Sequence, residues 1–255
     1  MIFRHQQLPS TNDEAMRLAL AGAEAFTAVV AERQSAGRGR NGHEWVSPEG
    51  VGLYASVVLR PRVETETLPV MTLLAGIAAT EAIILLTDLP AKIKWPNDVL
   101  VNGKKVAGLL CEADLAYADG PIVIAGLGVN VNTPPQMFPI RSLYPATSLM
   151  AESGRCHERD ALLDLWIERL RYWMGVLENN GTPDVLEAWR ALDALAGEAL
   201  CVALPDGSSV AGREEGVTDD GALLLRLADG SLFHVIAGDV SRCDCNRSVT
   251  GVFPR

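Results

Sequence analysis

Apolar runs of two lengths alternate through most of the chain. The short ones, at 26–32, 52–59, 92–95, 98–101, 105–113 and 121–129, are rich in β-branched residues and bounded by turn residues. Each is predicted as a strand. Residues 67–87 are apolar on most sides and rich in Ala and Leu, which predicts a helix packed deep against a sheet. Residues 158–178 and 184–195 predict two more helices. Ser10-Thr11-Asn12-Asp13-Glu14 opens another that runs to Gly22, with Ser10 or Thr11 capping it as in a capping box. Asn102-Gly103 between two apolar runs predicts a hairpin, because both residues accept positive φ. Residues 33–48 read as a polar, glycine-rich loop and 130–157 as a proline-bearing irregular stretch.

The pattern changes after Gly197. Short apolar runs now alternate with Pro205-Asp206-Gly207, Asp219-Asp220-Gly221 and Asp229-Gly230, the spacing of a small β-barrel or sandwich. A boundary is therefore expected near Ala196, dividing the chain into 1–196 and 197–255.

Composition narrows the field. The chain has 255 residues, 48% hydrophobic and 21% charged, enough for a packed core. Its 22 basic and 32 acidic residues give a net charge of −10, which argues against a general nucleic-acid binder. Apolar stretches such as 76–87 are interrupted by Glu81 and read as too short to cross a bilayer, so no membrane partner is expected. No charged leader followed by an apolar block opens the chain. Five cysteines, at 111, 156, 201, 243 and 245, read as reduced thiols of a cytoplasmic protein. Cys243-Asp244-Cys245 has the look of half a metal site, but His234 does not complete a ligand pattern. All four lysines, Lys92, Lys94, Lys104 and Lys105, fall in one stretch, and the basic residue elsewhere is arginine. Either the genome favours arginine, or this stretch needs a compact ammonium that a guanidinium does not imitate.

Four segments carry candidate chemistry. Gly37-Arg38-Gly39-Arg40-Asn41-Gly42 offers exposed amides and two forked donors to an anion, although its spacing is neither Rossmann nor P-loop and a solvated loop is the plain alternative. Lys94-Trp95-Pro96-Asn97-Asp98 ends a strand at Pro96 and puts Asn97 and Asp98 in a turn, where a carboxylate holds a magnesium ion, orients a lysine or simply makes an Asx turn. In Lys104-Lys105-Val106-Ala107-Gly108, strand alternation sends the two lysines to opposite faces, so at most one enters a pocket. In Gly126-Leu127-Gly128-Val129-Asn130, glycines in a buried strand mark close approach by another backbone or a ligand.

Together and in this order, these segments resemble the bacterial biotin protein ligases. Ser10-Thr11-Asn12, Gln34-Ser35-Ala36-Gly37-Arg38-Gly39-Arg40, Trp45-Val46-Ser47-Pro48, Lys94-Trp95-Pro96-Asn97-Asp98, Lys105-Val106-Ala107-Gly108 and Gly126-Leu127-Gly128-Val129-Asn130 carry the likeness, over about half the chain. The resemblance implies an α+β fold, a mixed sheet with packed helices, followed by a small SH3-like β domain. It implies ATP-dependent formation of biotinyl-5′-adenylate and transfer of biotin to a lysine of a biotin carboxyl carrier protein. ATP and Mg²⁺ are the implied cofactors, and a homodimer is compatible with it. Only nine residues precede Ser10, so the DNA-binding domain of some relatives is expected to be absent.

The resemblance also implies roles. Lys105, Arg38 and Arg40 would be catalytic. Biotin would be held by Ser10, Thr11, Asn12, Gln34, Gly37, Arg38, Gly39, Arg40, Lys105 and Gly108. Adenylate would meet Trp45, Arg40, Asn97, Asp98 and Asn130, with Asp98 and Asn130 organising magnesium. Asn41 stands where many relatives carry a further basic residue. The loop at 37–42 is expected to order around its ligand. A lipoate protein ligase or octanoyltransferase is the nearest rival, a non-catalytic binding protein and a repressor the others.

Overall fold

The computed structural model describes residues 1–118, 120–138 and 145–243. Its first part runs β1 (Ile2–Leu8), α1 (Thr11–Leu20), β2 (Ala28–Gln34), β3 (Leu53–Leu59), α2 (Val70–Thr87), β4 (Ala91–Lys94), β5 (Asp98–Val101), β6 (Lys104–Asp114) and β7 (Ile122–Val129). Three helices follow: α3 (Leu149–Ser153), α4 (Arg159–Asn180) and α5 (Thr182–Leu192). The chain then gives β8 (Ala199–Ala203), β9 (Ser209–Val217), β10 (Leu223–Arg226), β11 (Leu232–Val235) and β12 (Asp239–Arg242). Strands β1 to β7 form one sheet in the order β1-β2-β3-β7-β6-β5-β4, mixed because only β1 and β2 are parallel. Strands β8 to β12 form a second, antiparallel sheet in the order β11-β10-β9-β8-β12. The α+β class and the small β tail agree with the sequence pattern.

The two faces of the large sheet differ. Val30, Val57 and Leu127 point to the main core, which α2, α4 and α5 cover. Val29, Val58 and Ile124 point to the opposite face and pack on Ala15 and Ala19 of α1. α1 covers only part of that face, and the remainder is open. α2 is apolar all round, so burial is its only stable state. Its 18 residues are long and apolar enough to cross a membrane by length and composition, contrary to the expectation that these stretches are too short. Most of it is nonetheless buried against the sheet and against α4 and α5. Its single charge, Glu81, accepts from Arg169 at 2.7 Å and from Trp173 Nε1 at 2.8 Å.

Other departures have local causes. β1 escapes the hydrophobic pattern because it is an edge strand with alternately exposed side chains. α3 lies inside the stretch expected to be irregular and starts where Ser148 Oγ accepts from Ala151 N. α5 begins two residues early, with Pro183 in its first turn, where a missing N–H costs nothing. α1 stops at Leu20 and has no capping box. Ser10 makes no side-chain cap bond, and Gln34 Oε1 at the end of β2 accepts from Thr11 N at 2.8 Å instead. The hairpin at Asn102-Gly103 is as expected, with φ 51° and 74°.

Candidate functional site

On the open part of the α1 face lies a cleft of about 440 Å³. One rung of directly paired residues forms its floor. Lys94 on β4 opposes Asp98 on β5, Asp98 opposes Gly108 on β6, Gly108 opposes Gly128 on β7, and Gly128 opposes Tyr54 on β3. Directly opposed residues share a face, so charge stands at one end of the rung and bare backbone in the middle. Asp98 is the first residue of β5, as the strand expected over 98–101 has it, rather than part of an Asx turn.

Lys105 reaches this floor through a β-bulge. It lies three positions before Gly108, an offset that would put the two on opposite faces of a regular strand. Val99 pairs with Ala107, yet Leu100 pairs with Lys105. Val106 is therefore an extra residue, and the alternation inverts. Lys105 lies over Gly108, where an added Cβ would stand 3.3 Å from Lys105 Cε. Lys104 points elsewhere and meets Glu152 at 3.0 Å. The two lysines part company as expected.

Asp98 sits between two ammonium groups. Lys105 Nζ is 2.5 Å from its Oδ1 and Lys94 Nζ is 3.6 Å from its Oδ2. Lys94 is 6% exposed. Burial pulls its pKa down, and the Asp98 carboxylate resists that pull. One carboxylate against two ammoniums leaves the floor cationic. This donor set does not fit a resident magnesium ion, because its one carboxylate is flanked by two lysine ammonium groups. Asn130 Nδ2 donates to Thr147 O at 3.1 Å, which leaves its amide oxygen as the other oxygen donor nominated for the ion. Among the described residues no cluster of three or more His, Cys, Asp or Glu could hold a metal.

The wall opposite is the glycine-arginine loop, here a short hairpin. Trp45 N donates to Gly37 O, Gly39 N donates to His43 O, and Arg38 bridges Glu44. Asn41 and Gly42 form its tip with φ 55° and 74°, so Asn41 serves as a turn residue that tolerates positive φ. Arg38 grips both Asp13 oxygens, at 3.0 and 2.5 Å, and both Glu112 oxygens at 3.1 Å. These carboxylates, Asp13 first, raise its pKa further. Burial lowers the pKa of Arg40, opposed by Asp239 and Asp98.

A polar network closes the end of the cleft at α1. Gln34 Oε1 accepts from Thr11 N and Oγ1, and Gln34 Nε2 donates to Ser47 Oγ. Asn12 Oδ1 accepts from the buried Ser56 Oγ at 2.6 Å, while Asn12 Nδ2 donates to Glu112 Oε2 at 2.6 Å. Asn97 Nδ2 donates to Leu109 O at 2.6 Å. At the two β7 glycines of the floor, the close approach within the protein is made by side chains. A Cβ on Gly126 would meet Asn12 Oδ1 at 2.2 Å, and one on Gly128 would meet the Trp45 indole at 2.5 Å. Lys105 Nζ lies 5.4 Å from the centre of that ring.

Of the residues nominated from sequence, Gly37 alone does not line the cleft. It packs behind the wall, where a Cβ would stand 2.6 Å from Trp45 O. Ser10, Thr11, Asn12, Gln34, Arg38, Gly39, Arg40, Trp45, Asn97, Asp98, Lys105, Gly108 and Asn130 all line it. Sequence reasoning missed Glu112, which holds Arg38, and Gly238, Asp239 and Val240, through which the second sheet supplies part of the rim. Cys243 lies at the end of the described chain, and Asp244 and Cys245 lie outside the described residues.

Residues 4–130 match the Biotin/lipoate A/B protein ligase family, and residues 199–242 match the Biotin protein ligase C terminal domain. A biotin–[acetyl-CoA-carboxylase] ligase of Paracoccus denitrificans is 36% identical over 220 residues, covering 85% of this chain and 90% of that one. The bifunctional ligase/repressor BirA of Bacillus subtilis is 34% identical over 230 residues, covering 89% and 69%. The structure of a biotin protein ligase from Aquifex aeolicus in complex with biotin and ATP superposes with a TM-score of 0.81 at 29% identity, covering 95% and 99%. With sequence, fold and small β domain all in agreement, the chain belongs to the biotin protein ligase family.

Proposed function

We propose that the chain joins biotin to ATP and passes the biotinyl group to one lysine of a biotin carboxyl carrier protein. A biotin carboxylate oxygen attacks the α-phosphorus, the bond to the β-phosphate breaks, and pyrophosphate leaves. The carrier lysine then attacks the acyl carbon, AMP leaves, and an amide remains. Two anions must meet in the first step, so the site's main task is to offset their repulsion.

The observation that carries this reading is the cationic floor, with Lys105 brought over Gly108 and flanked by Asp98 and Lys94. Lys105 would bridge the biotin carboxyl oxygen and the α-phosphate. Arg40 faces the same cleft and feels the same Asp98, so the second cation comes from the loop. Arg38 lines the cleft too. Its grip on Asp13 and Glu112 supports a first role in pinning the loop, with release toward an incoming anion as the second. Ser10, Thr11, Asn12 and Gln34 would surround the ureido ring, and Trp45 would stack on adenine. Magnesium in this reading arrives on the triphosphate, as is usual for a cation that keeps few protein ligands.

The catalytic unit is taken as 1–196 and the SH3-like unit as 197–255, in keeping with β8 beginning at Ala199. The partner is the biotin carrier of a carboxylase, the class named in the relatives' ligase names. A cytoplasmic enzyme that binds neither nucleic acid nor membrane, as a monomer or a homodimer, completes the reading.

Mixing the protein with ATP, magnesium and either biotin or lipoate tests it, with pyrophosphate release and transfer to a carrier domain as the readouts. Turnover is expected with biotin and lost in Lys105→Ala. Turnover with lipoate only, or with neither acid, overturns it.

A further inference from the structure

Five cysteines remain outside the chemistry above, and two of them meet. Cys201 is the middle residue of β8 and stands opposite Ser241 on β12. Cys243 follows two residues later and so returns to the same face of the sheet. Its backbone N–H donates to Ala199 O at 3.0 Å, which carries the β8–β12 ladder past the end of β12. The two Sγ atoms are 2.7 Å apart, closer than two unbonded sulfurs ordinarily sit and a short step from the bond length of about 2.0 Å. Both side chains are half-buried, so a small reagent can reach them.

The position of the pair gives it a consequence. Among the described residues β12 is an edge strand that pairs only with β8. Gly238, Asp239 and Val240, at its opposite end, line the cleft rim. A strand held on one side is among the first to open locally. We propose that Cys201 and Cys243 form a reversible disulfide that fastens β12 to β8 and with it the rim contributed by the second sheet. The oxidant is a small-molecule disulfide. One cysteine thiolate attacks a sulfur of that disulfide, its S–S bond breaks, and one small thiol leaves. The second cysteine thiolate attacks the protein sulfur of the mixed disulfide, the Cys201–Cys243 bond forms, and the other small thiol leaves. The two cysteines are oxidised, the small disulfide is reduced to two thiols, and two protons pass from the cysteines to the departing thiolates.

The test equilibrates the full chain in buffers of glutathione and glutathione disulfide, traps remaining thiols with iodoacetamide and maps the peptides. The expected result is a Cys201–Cys243 link in oxidising buffer that returns to two alkylated thiols in reduced glutathione. The link should persist in Cys245→Ser and vanish in Cys201→Ser and in Cys243→Ser. Amide hydrogen exchange across 238–242 should slow on oxidation and recover on reduction. Cys201 and Cys243 both alkylated in the most oxidising buffer, or Cys243 linked to Cys245 instead, would overturn the proposal. So would a Cys201–Cys243 link that leaves exchange across 238–242 unchanged.

Discussion

The floor of the cleft and the loop facing it both carry cations, but they hold them differently. On the floor, Lys94, Asp98 and Lys105 stand on three neighbouring strands whose ladders and core fix their places, with Lys94 and Asp98 almost wholly buried. In the loop, Arg38 and Arg40 ride on a hairpin that owes its shape to a few backbone bonds and to the ion pairs of Arg38, which are partly exposed. Strand-borne charge is ready before any substrate arrives and needs no reorganisation during the reaction. Loop-borne charge has to be led into place, and Asp13 and Glu112 give Arg38 a resting position meanwhile. The floor is the candidate for chemistry and the loop for capture.

Substitutions separate the two roles. The largest effect is expected from Lys105→Ala, which should cost about 3 kcal/mol of transition-state stabilisation, on the order of a hundredfold in kcat, with little change in folding. Steady-state pyrophosphate release and a denaturation curve check both halves. Lys105→Arg should not restore the rate, since a planar guanidinium does not fit where a compact ammonium lies on Gly108.

Asp98→Asn comes next and acts on the fold as well. It strips the buried Lys94 of its countercharge, for which a loss of about 3 kcal/mol of stability is expected in urea unfolding. Lys94→Met together with Asp98→Asn should recover most of that loss but not the activity. Gly126→Ala should cost about 2 kcal/mol, because the new methyl displaces the Asn12 side chain and breaks its hydrogen bonds to Ser56 and Glu112. Biotin binding followed by calorimetry should weaken with it.

A pH dependence distinguishes the support of the floor from the loop. Asp193, buried beside Glu214, forms a bridge to Ile93 on β4. Burial first, then the Glu214 carboxylate, lifts its pKa to about 7, against a backbone bond from Leu195 and the charge of Lys92. Between its ordinary 3.8 and about 7 the folded protein keeps a proton that the unfolded chain gives up. Stability should therefore fall as pH rises through that window and level off above it. Asp193→Asn should flatten the curve, and an unchanged slope would contradict this assignment. The smallest effect belongs to the loop. Gly42→Ala, at φ 74° with open space around it, should cost about 1 kcal/mol in backbone strain and leave kcat intact.

The same contrast explains what the sequence made legible. Turn chemistry is local, so the Asn102-Gly103 hairpin and the break at Pro96 could be read directly, and strand alternation after the hairpin could send Lys104 and Lys105 to opposite faces. The large core was legible in α2, whose apolar residues admit only burial. The bulge at Val106 was not, because nothing in Lys-Val-Ala-Gly distinguishes a regular strand from a bulged one. Only the pairing with β5 decides it. Glu112 and Asp239 were missed for a different reason. Asp239 enters the cleft from the second sheet, remote in sequence from the motifs, and Glu112 lies on β6 just past the Lys105–Gly108 motif, where only the fold brings it against Arg38. The cap of α1 was misread because Gln34, distant along the chain, supplied what Ser10 was expected to supply.

The central claim is that Lys105 from the floor and an arginine from the loop converge on one acyl phosphate. A crystal structure with a non-hydrolysable biotinyl-adenylate analogue tests it most directly. The account predicts Lys105 Nζ and the Arg40 guanidinium both within hydrogen-bonding distance of the acyl-phosphate oxygens, with Trp45 against the adenine. An analogue bound elsewhere, or bound in the cleft with Lys105 still turned to Asp98 and away from the phosphate, would contradict it.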